Sequence, residues 1–493
     1  MRCRITSQLK LLSAHLRPLG TRSHRYNTVT GCHGIHTATP TSEAPGEVPY
    51  STPLARYLTE AIEATGPITL AAYMRQCLVS DLGGYYTAER QFGAGDQFGR
   101  KGDFITSPEI SQVFGELIGI WVVSEWMKQR RPGQKVQIVE LGPGRGTLMS
   151  DLWRTVLCFK PMADLVEAVY LVEASPSLRE AQKVLLCGPK IKMRQIENGF
   201  ACQSKTSPKT DIIWYEDFSF IPRGKDRTSY IIAHEFFDAL PIHAFTNTDN
   251  GWREILVNAT SKKGHFVTKD GVSKLEARSN IPEFSLTLAG APTPHSILLP
   301  SLSQRYKDLE KLKNATIEIS PESLGLVEKI SQKIGEAGAG AGLILDYGTS
   351  DTVPANSLRG ILRHEICSPF SRPGEVDVSA DVDFTALAEQ AVKSSKKVEV
   401  HGPVKQGAFL RMLGIKERTE FLIRELKEKL SSWDDDGMED KEKALRSGHD
   451  RLVGEHSGGM GAIYKALAVV PVRKGKRPVG FGGKVTGDKD YCK

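Results

Sequence analysis

The stretch that decides the fold is Val139-Glu140-Leu141-Gly142-Pro143-Gly144-Arg145-Gly146-Thr147-Leu148. The apolar run Val136 to Leu141 predicts a short strand leading into it, and Leu148 to Leu157 predicts a helix leaving it. Glycines at alternate positions let the backbone pass close beneath a ligand, where a Cβ would collide with it. The helix that follows presents its positive N-terminal end to the same place. A dinucleotide-binding loop needs a glycine three residues after Gly144, but Thr147 stands there and the glycine falls at 146. No Gly-Lys-Ser/Thr follows, which excludes a phosphate-binding P-loop.

Further apolar runs lie downstream at Val169–Val172, Ile212–Trp214, Tyr230–Ala233 and Leu343–Leu345, with a helix predicted over Pro176–Leu186. Strands alternating with helices predict an α/β fold whose mostly parallel sheet is covered on both faces. Glu173 ends the second strand, where an acid can accept both hydroxyls of a ribose. The G-x-G-x-G form with Glu140 just upstream resembles the first motif of the class I S-adenosyl-L-methionine-dependent methyltransferases. That resemblance implies a Rossmann-like sheet and S-adenosyl-L-methionine as cofactor. It puts Glu140 under the methionine part and Gly142, Gly144 and Gly146 near the sugar.

Ahead of the first strand, helical periodicity begins at Leu54, and a second helix is predicted from Pro67, burying Leu70, Tyr73, Met74 and Leu78. A glycine-rich polar stretch then ends in Gly102-Asp103-Phe104-Ile105-Thr106-Ser107-Pro108-Glu109. Segments in this position often fold over the cofactor in this enzyme class, so Asp103, Thr106, Ser107 and Glu109 are candidate cofactor contacts. Ser107 before Pro108 also suits a helix N-cap, and the two roles are compatible.

The first 42 residues contain no Asp or Glu but hold Arg2, Arg4, Lys10, Arg17, Arg22 and Arg25, with Leu9, Leu12 and Leu16 at helical spacing. This is the pattern of a mitochondrial presequence. Without those cations the formal charge of +7 nearly vanishes, so no nucleic-acid partner is expected. No apolar run is long enough for a transmembrane segment. The cysteines, at 3, 32, 77, 158, 187, 202, 367 and 492, show no C-x-x-C spacing, and no metal site is expected. The expected organisation is a presequence (1–42), a helical cofactor-covering region (54–130) and a methyltransferase domain (131–241 and 341–472). An accessory insertion (242–340) and a flexible tail (473–493) complete it, and Ser431 to Lys443 reads as a solvated acidic loop.

The second motif is Glu235-Phe236-Phe237-Asp238-Ala239-Leu240-Pro241, directly after the Tyr230–Ala233 strand. Glu235 and Asp238 are candidate catalytic acids: paired carboxylates match the planar fork of a guanidinium, and the phenylalanines could wall a pocket around it. The same pattern also suits a helix N-terminus with acids favouring its dipole. Together with Gly66-Pro67-Ile68, Gly84-Tyr85-Tyr86, Gly102 to Glu109, Leu345-Asp346-Tyr347-Gly348 and Ala380-Asp381-Val382-Asp383-Phe384, these motifs resemble one family. It is that of the mitochondrial complex I assembly methyltransferases and their bacterial MidA-like relatives. The resemblance implies a matrix enzyme that symmetrically dimethylates an arginine in a core subunit of respiratory complex I. His234 departs from the family pattern, which often has Asn there. Two other readings stay open: a matrix RNA or small-molecule methyltransferase, and a non-catalytic assembly chaperone with the same fold.

Overall fold

The computed structural model describes residues 50–87, 105–129, 131, 133–260, 282–430, 435–473, 476–482 and 485–486. The presequence and Asp103 lie outside the described residues. Helices α1 (Pro53–Thr65) and α2 (Leu70–Val79) flank a two-residue strand, β1 (Ile68–Thr69). The helix predicted from Pro67 therefore starts later. Ile68 and Thr69 pair antiparallel with Val257 and Leu256, and the Thr69 hydroxyl caps α2 by accepting from the Ala72 amide at 3.1 Å.

The short helix α3 (Ser107–Ile110) and the long α4 (Gln112–Gln129) precede the main sheet. Its first strands are β2 (Lys135–Leu141), β3 (Val166–Val172), β4 (Arg194–Ile196), β5 (Gly199–Gln203), β6 (Asp211–Tyr215) and β7 (Arg227–His234). Helix α5 (Thr147–Leu157) joins β2 to β3, and α6 (Pro176–Leu186) follows β3. The accessory strands β8 (His243–Thr248), β9 (Gly251–Ala259), β10 (Phe284–Leu288) and β11 (Thr316–Ile319) come next, then α7 (Pro321–Ala337) and β12 (Gly340–Thr349). A small sheet of β13 (Arg359–Leu362), β14 (Glu365–Cys367) and β15 (Asp377–Ser379) leads to β16 (Val382–Asp383) and α8 (Phe384–Ser394). The chain closes with β17 (Val398–Lys405), α9 (Gln406–Met412), α10 (Ile415–Leu430), α11 (Asp435–Val453), β18 (Tyr464–Pro471) and β19 (Val485–Thr486).

The main sheet runs β19-β17-β18-β12-β7-β2-β3-β6-β5-β4. Strands β12, β7, β2, β3 and β6 are mutually parallel, whereas β18 enters antiparallel between β12 and β17. From β2 the chain proceeds to β3 on one side and later returns to β7 on the other. The order therefore reverses at β2, and α/β ligand sites lie at the carboxyl ends of strands around such a point. Parallel strands are covered on both faces. On one face Val113, Trp121, Leu152 and Trp153 of α4 and α5 pack with Ile138 and Val169. On the other, Val327, Ile330 and Ile334 of α7 and Phe384 and Leu387 of α8 pack with Val139 and Ile344.

Four segments differ from their sequence-based expectation. Helix α7 packs on the main sheet as the crossover from β7 to β12, so the accessory sheet ends at Ile319 rather than near 340. That sheet shares a core with α1, α2 and the small sheet, through Leu58, Tyr73, Met74, Ile242, Val257, Phe284 and Val378. The 54–130 region is thus divided, with α4 on the main sheet and α1 and α2 on the accessory layer. Part of the expected flexible tail is anchored. Phe481 is buried against Phe409, β19 pairs with β17, and Arg473 reaches within 2.6 Å of Glu125. The expected acidic loop is helical from Asp435 onward, where Glu442 pairs with Lys427 at 2.8 Å and with Arg446 at 2.9 Å. Among the described residues no helix is long and apolar enough to cross a membrane.

Candidate active site: a cofactor cradle and an acidic chamber

A cavity of about 340 Å³ opens at the carboxyl ends of β2, β3, β7 and β12. Gly142, Gly144 and Gly146 all take the left-handed backbone region, with φ of 59°, 52° and 85°. L side chains rarely adopt it, which is why this turn needs glycine. Gly146 forms the N-cap of α5. A Cβ on Gly142 would lie 2.4 Å from Cδ2 of Phe236, so the second motif packs directly on the glycine loop.

Glu140 is 3 % exposed, and its Oε2 faces no hydrogen-bond partner among the described residues. Burial, with the charge of Glu173 next, pushes its carboxyl up to about 8. Glu173 accepts from the Ser175 amide at 2.8 Å and from the Gln182 side chain at 3.0 Å, and burial raises it to about 7. Gln182 also donates to the Gly144 carbonyl at 2.6 Å, tying the strand-end acid to the glycine loop. Gly146 lies behind the cavity wall, against Gln182. An orphaned carboxylate oxygen, Gly142 and Gly144 lining the cavity and a helix N-terminus form a cradle that fits an amino-acid-bearing nucleoside.

Thr106, not Ser107, is the N-cap of α3, and its hydroxyl makes no capping bond. Thr106 and Glu109 line the cavity. Ser107 does not; it is fully buried, and its amide donates to Oε1 of Glu235 at 3.3 Å. Glu109 lies 3.8 Å from Arg145 of the glycine loop.

The same cavity also holds an acidic chamber. Glu235 has φ +48°, a strained value for a residue other than glycine. Asp346, fully buried at the end of the parallel part of β12, overcomes that strain. Its Oδ2 accepts from three successive amides, Phe236 at 3.1 Å, Phe237 at 2.9 Å and Asp238 at 3.3 Å. Burial, then the Asp238 charge, pushes Glu235 up to about 8. Burial also raises Asp238, despite the Tyr347 hydroxyl that donates to its Oδ2. The other oxygen of Asp238 is buried without a hydrogen-bond partner among the described residues. His234, 3.1 Å from Oε1 of Glu235, is driven by burial down to about 3 and is therefore neutral. Tyr347, Tyr464 and Tyr86 complete the wall, with Tyr347 and Tyr464 edge to face at 5.4 Å and Tyr86 donating to Asp377 at 3.1 Å. Arg359 stacks on Tyr347 at 4.5 Å and is held by Asp381 at 2.8 Å.

Residues 117–404 match a family described as S-adenosyl-L-methionine-dependent methyltransferases. The chain belongs to that family. The mitochondrial protein arginine methyltransferase NDUFAF7 of Rattus norvegicus is 35% identical over 432 residues, 87% of this chain and 86% of its own length. The Homo sapiens protein of the same name is 35% identical over 435 residues, 87% and 85% of the two chains. The Drosophila melanogaster homolog is 33% identical over 470 residues, 94% and 96%. A Burkholderia thailandensis protein solved with S-adenosyl-homocysteine shares the fold, with a TM-score of 0.59 and 20% identity over 87% of this chain and 93% of that one. This methyltransferase is mitochondrial, as its acid-free N-terminus implies, and its cofactor is S-adenosyl-L-methionine.

Sequence reasoning missed Gln182, Tyr464 and Asp377, which no motif marks, while Tyr86 was visible in Gly84-Tyr85-Tyr86 without a role. Asp346 and Tyr347 were visible as Leu345-Asp346-Tyr347-Gly348. Only the turn they support shows what they do.

Proposed function

We propose that this methyltransferase acts in the mitochondrial matrix on an arginine of a core subunit of respiratory complex I, forming symmetric dimethylarginine during assembly. The observation that carries the arginine reading is the chamber itself. Glu235 and Asp238 are buried and raised in pKa, and one Asp238 oxygen lacks a hydrogen-bond donor among the described residues. Such a site is short of a cation, and a planar one with several donors relieves it best. The cofactor, when bound in the cradle of Glu140, Gly142, Gly144, Gly146 and Glu173, supplies a methyl group on a sulfonium centre.

The chain's own groups do the rest. Glu235 and Asp238 accept guanidinium N–H bonds and turn one nitrogen toward the cradle. Phe236, which lines the same cavity, packs on the glycine loop, and the tyrosines exclude water. A guanidinium nitrogen that accepted the methyl group would have to shed a proton. Glu235, with a pKa near 8, is suited to take that proton. Thr106 and Glu109 close the cradle from the α3 side. The near-neutral charge beyond the presequence favours a protein over an RNA acceptor.

The test is to incubate the mature protein with labelled cofactor and purified complex I subunits, then map methylated residues by mass spectrometry. Label on an arginine of one core subunit is expected. Label only on RNA or small molecules overturns the acceptor, and cofactor binding without any transfer overturns catalysis.

A further inference from the structure

In the accessory sheet, three side chains from three elements converge, and none of them lines the cavity. Phe245 on β8 lies opposite Glu254 on β9. His243, two residues earlier on β8, therefore shares a face with Glu254 on the diagonal. The short helix Pro294–Leu298, closed at its start by a capping box between Thr293 and Ser296, delivers His295 to the same point. Nδ1 of His243 is 2.7 Å from Oε1 of Glu254, and Nδ1 of His295 is 3.5 Å from that oxygen. The two imidazole rings are 4.1 Å apart and tilted by 42°. Thr293 donates its hydroxyl to the other carboxylate oxygen at 2.5 Å.

The electrostatics of this cluster are incomplete. Glu254 is 0 % exposed, and its ion-pair partners among the described residues are these two imidazoles. Burial pushes its carboxyl up, but the hydrogen bonds from His243 and Thr293 outweigh that and hold it below its ordinary value. A carboxylate taken out of water is costly unless a cation lies against it, and a cation between the three groups would supply that.

We propose that His243, Glu254 and His295 form a binding site for a divalent transition-metal ion, with zinc the ion that fits the set best. Two imidazoles and one carboxylate are a zinc ligand set that leaves the fourth position to water. Ligand atoms about 2.0–2.1 Å from a tetrahedral ion stand roughly 3.3–3.4 Å apart. The His295 to Glu254 separation is already close to that, and a small rotation of the His243 ring opens the other. Thr293 supplies the outer hydrogen bond that orients the carboxylate. His295, about half exposed, leaves the open side toward solvent. The ion would pin the Pro294–Leu298 helix to β8 and β9, beside the exposed Leu286, Leu288, Ile297 and Leu298, and would take no part in methyl transfer.

Sequence reading missed the set because its members are separated widely and lack the short spacings of zinc motifs. The competing account is a plain His243–Glu254 hydrogen bond with His295 resting on it. The deciding experiment strips the full-length protein with EDTA and titrates it with zinc by calorimetry. Metal content is measured by mass spectrometry after gel filtration, and a cobalt(II) spectrum reports the coordination geometry. One zinc per chain, a higher melting temperature with zinc and a tetrahedral cobalt spectrum are expected. His295→Ala should weaken zinc binding at least about tenfold while S-adenosyl-L-methionine binding stays unchanged, which shows that the variant is folded. No zinc uptake by the wild-type protein overturns the proposal. So does zinc binding in His295→Ala equal to that of the wild type.

Discussion

The two halves of the cavity are built in opposite ways. The cofactor cradle comes mostly from one continuous strand–loop–helix, Glu140 to Leu148, with Glu173 at the next strand end. The acidic chamber gathers Glu235 and Asp238 from one loop, Asp346 and Tyr347 from β12, Tyr464 from β18, and Tyr86 and Asp377 from the accessory layer. Backbone geometry does most of the work in the cradle, and neighbouring residues can supply it. Holding several carboxylates together away from water needs supports from many directions, because each buried charge must be compensated. One residue should therefore disable the cradle, whereas the chamber should lose function by steps.

The largest effect belongs to Gly144→Val. Its φ of +52° forbids a β-branched residue without strain, and the side chain would enter the path of the cofactor. Affinity for S-adenosyl-L-methionine should fall roughly a hundredfold or more, about 2.7 kcal/mol. The strain should also lower the apo melting temperature by a few degrees. Calorimetry alongside thermal unfolding reads both, and unaltered affinity would reduce the loop to an ordinary turn.

Glu235→Gln and Asp238→Asn come next. Each removes a charge-assisted hydrogen bond worth roughly 1.5–3 kcal/mol, so single-turnover methylation should slow by about one to two orders of magnitude. Cofactor affinity should stay within about twofold, because the glycine loop and Glu173 hold the cofactor while these acids belong to the loop after β7. The double variant should lose less than the sum of the singles if both acids hold one group. Full activity in both singles would leave this motif as the start of a turn and nothing more.

A third test uses pH. Only ionised Glu235 grips a cation, and its carboxyl is raised to about 8. Between pH 7 and 9, kcat/KM should therefore rise about tenfold, and Glu235→Gln should flatten that limb. The smallest effect is expected for Tyr347→Phe, which removes one neutral donor from Asp238. A loss of about 0.5–1.5 kcal/mol, two- to tenfold in turnover, should appear with no change in cofactor binding. A loss as large as that of Asp238→Asn would instead make the tyrosine hydroxyl an equal partner in the chamber.

Much of this was legible beforehand. The strands around Val139, Leu171, Ile232 and Leu345 and the helix Pro176–Leu186 lie where their apolar runs put them. Gly142, Gly144 and the strand-end acids line the cavity, whereas Gly146 does not. Ser107 was misplaced because its cap position and its burial depend on Glu235 and Met460, far along the chain. The helix over Pro321–Ala337 went unrecognised inside the supposed insertion. Pro67 misled in the other direction, because β9 draws Ile68 and Thr69 into a strand.

The sequence by itself determined whatever depends on near neighbours: strand and helix periods, the three glycines at left-handed positions, and the acid-free N-terminus. Tertiary structure alone decided that Asp346 braces the loop of Glu235 and Asp238 through three amides. It also brought α1 and α2 onto the accessory sheet and His243, Glu254 and His295 to one point. The physical reason is range. Backbone conformation and periodicity are set within a few residues, whereas burial, charge compensation and pKa depend on which distant segments the folded core brings together.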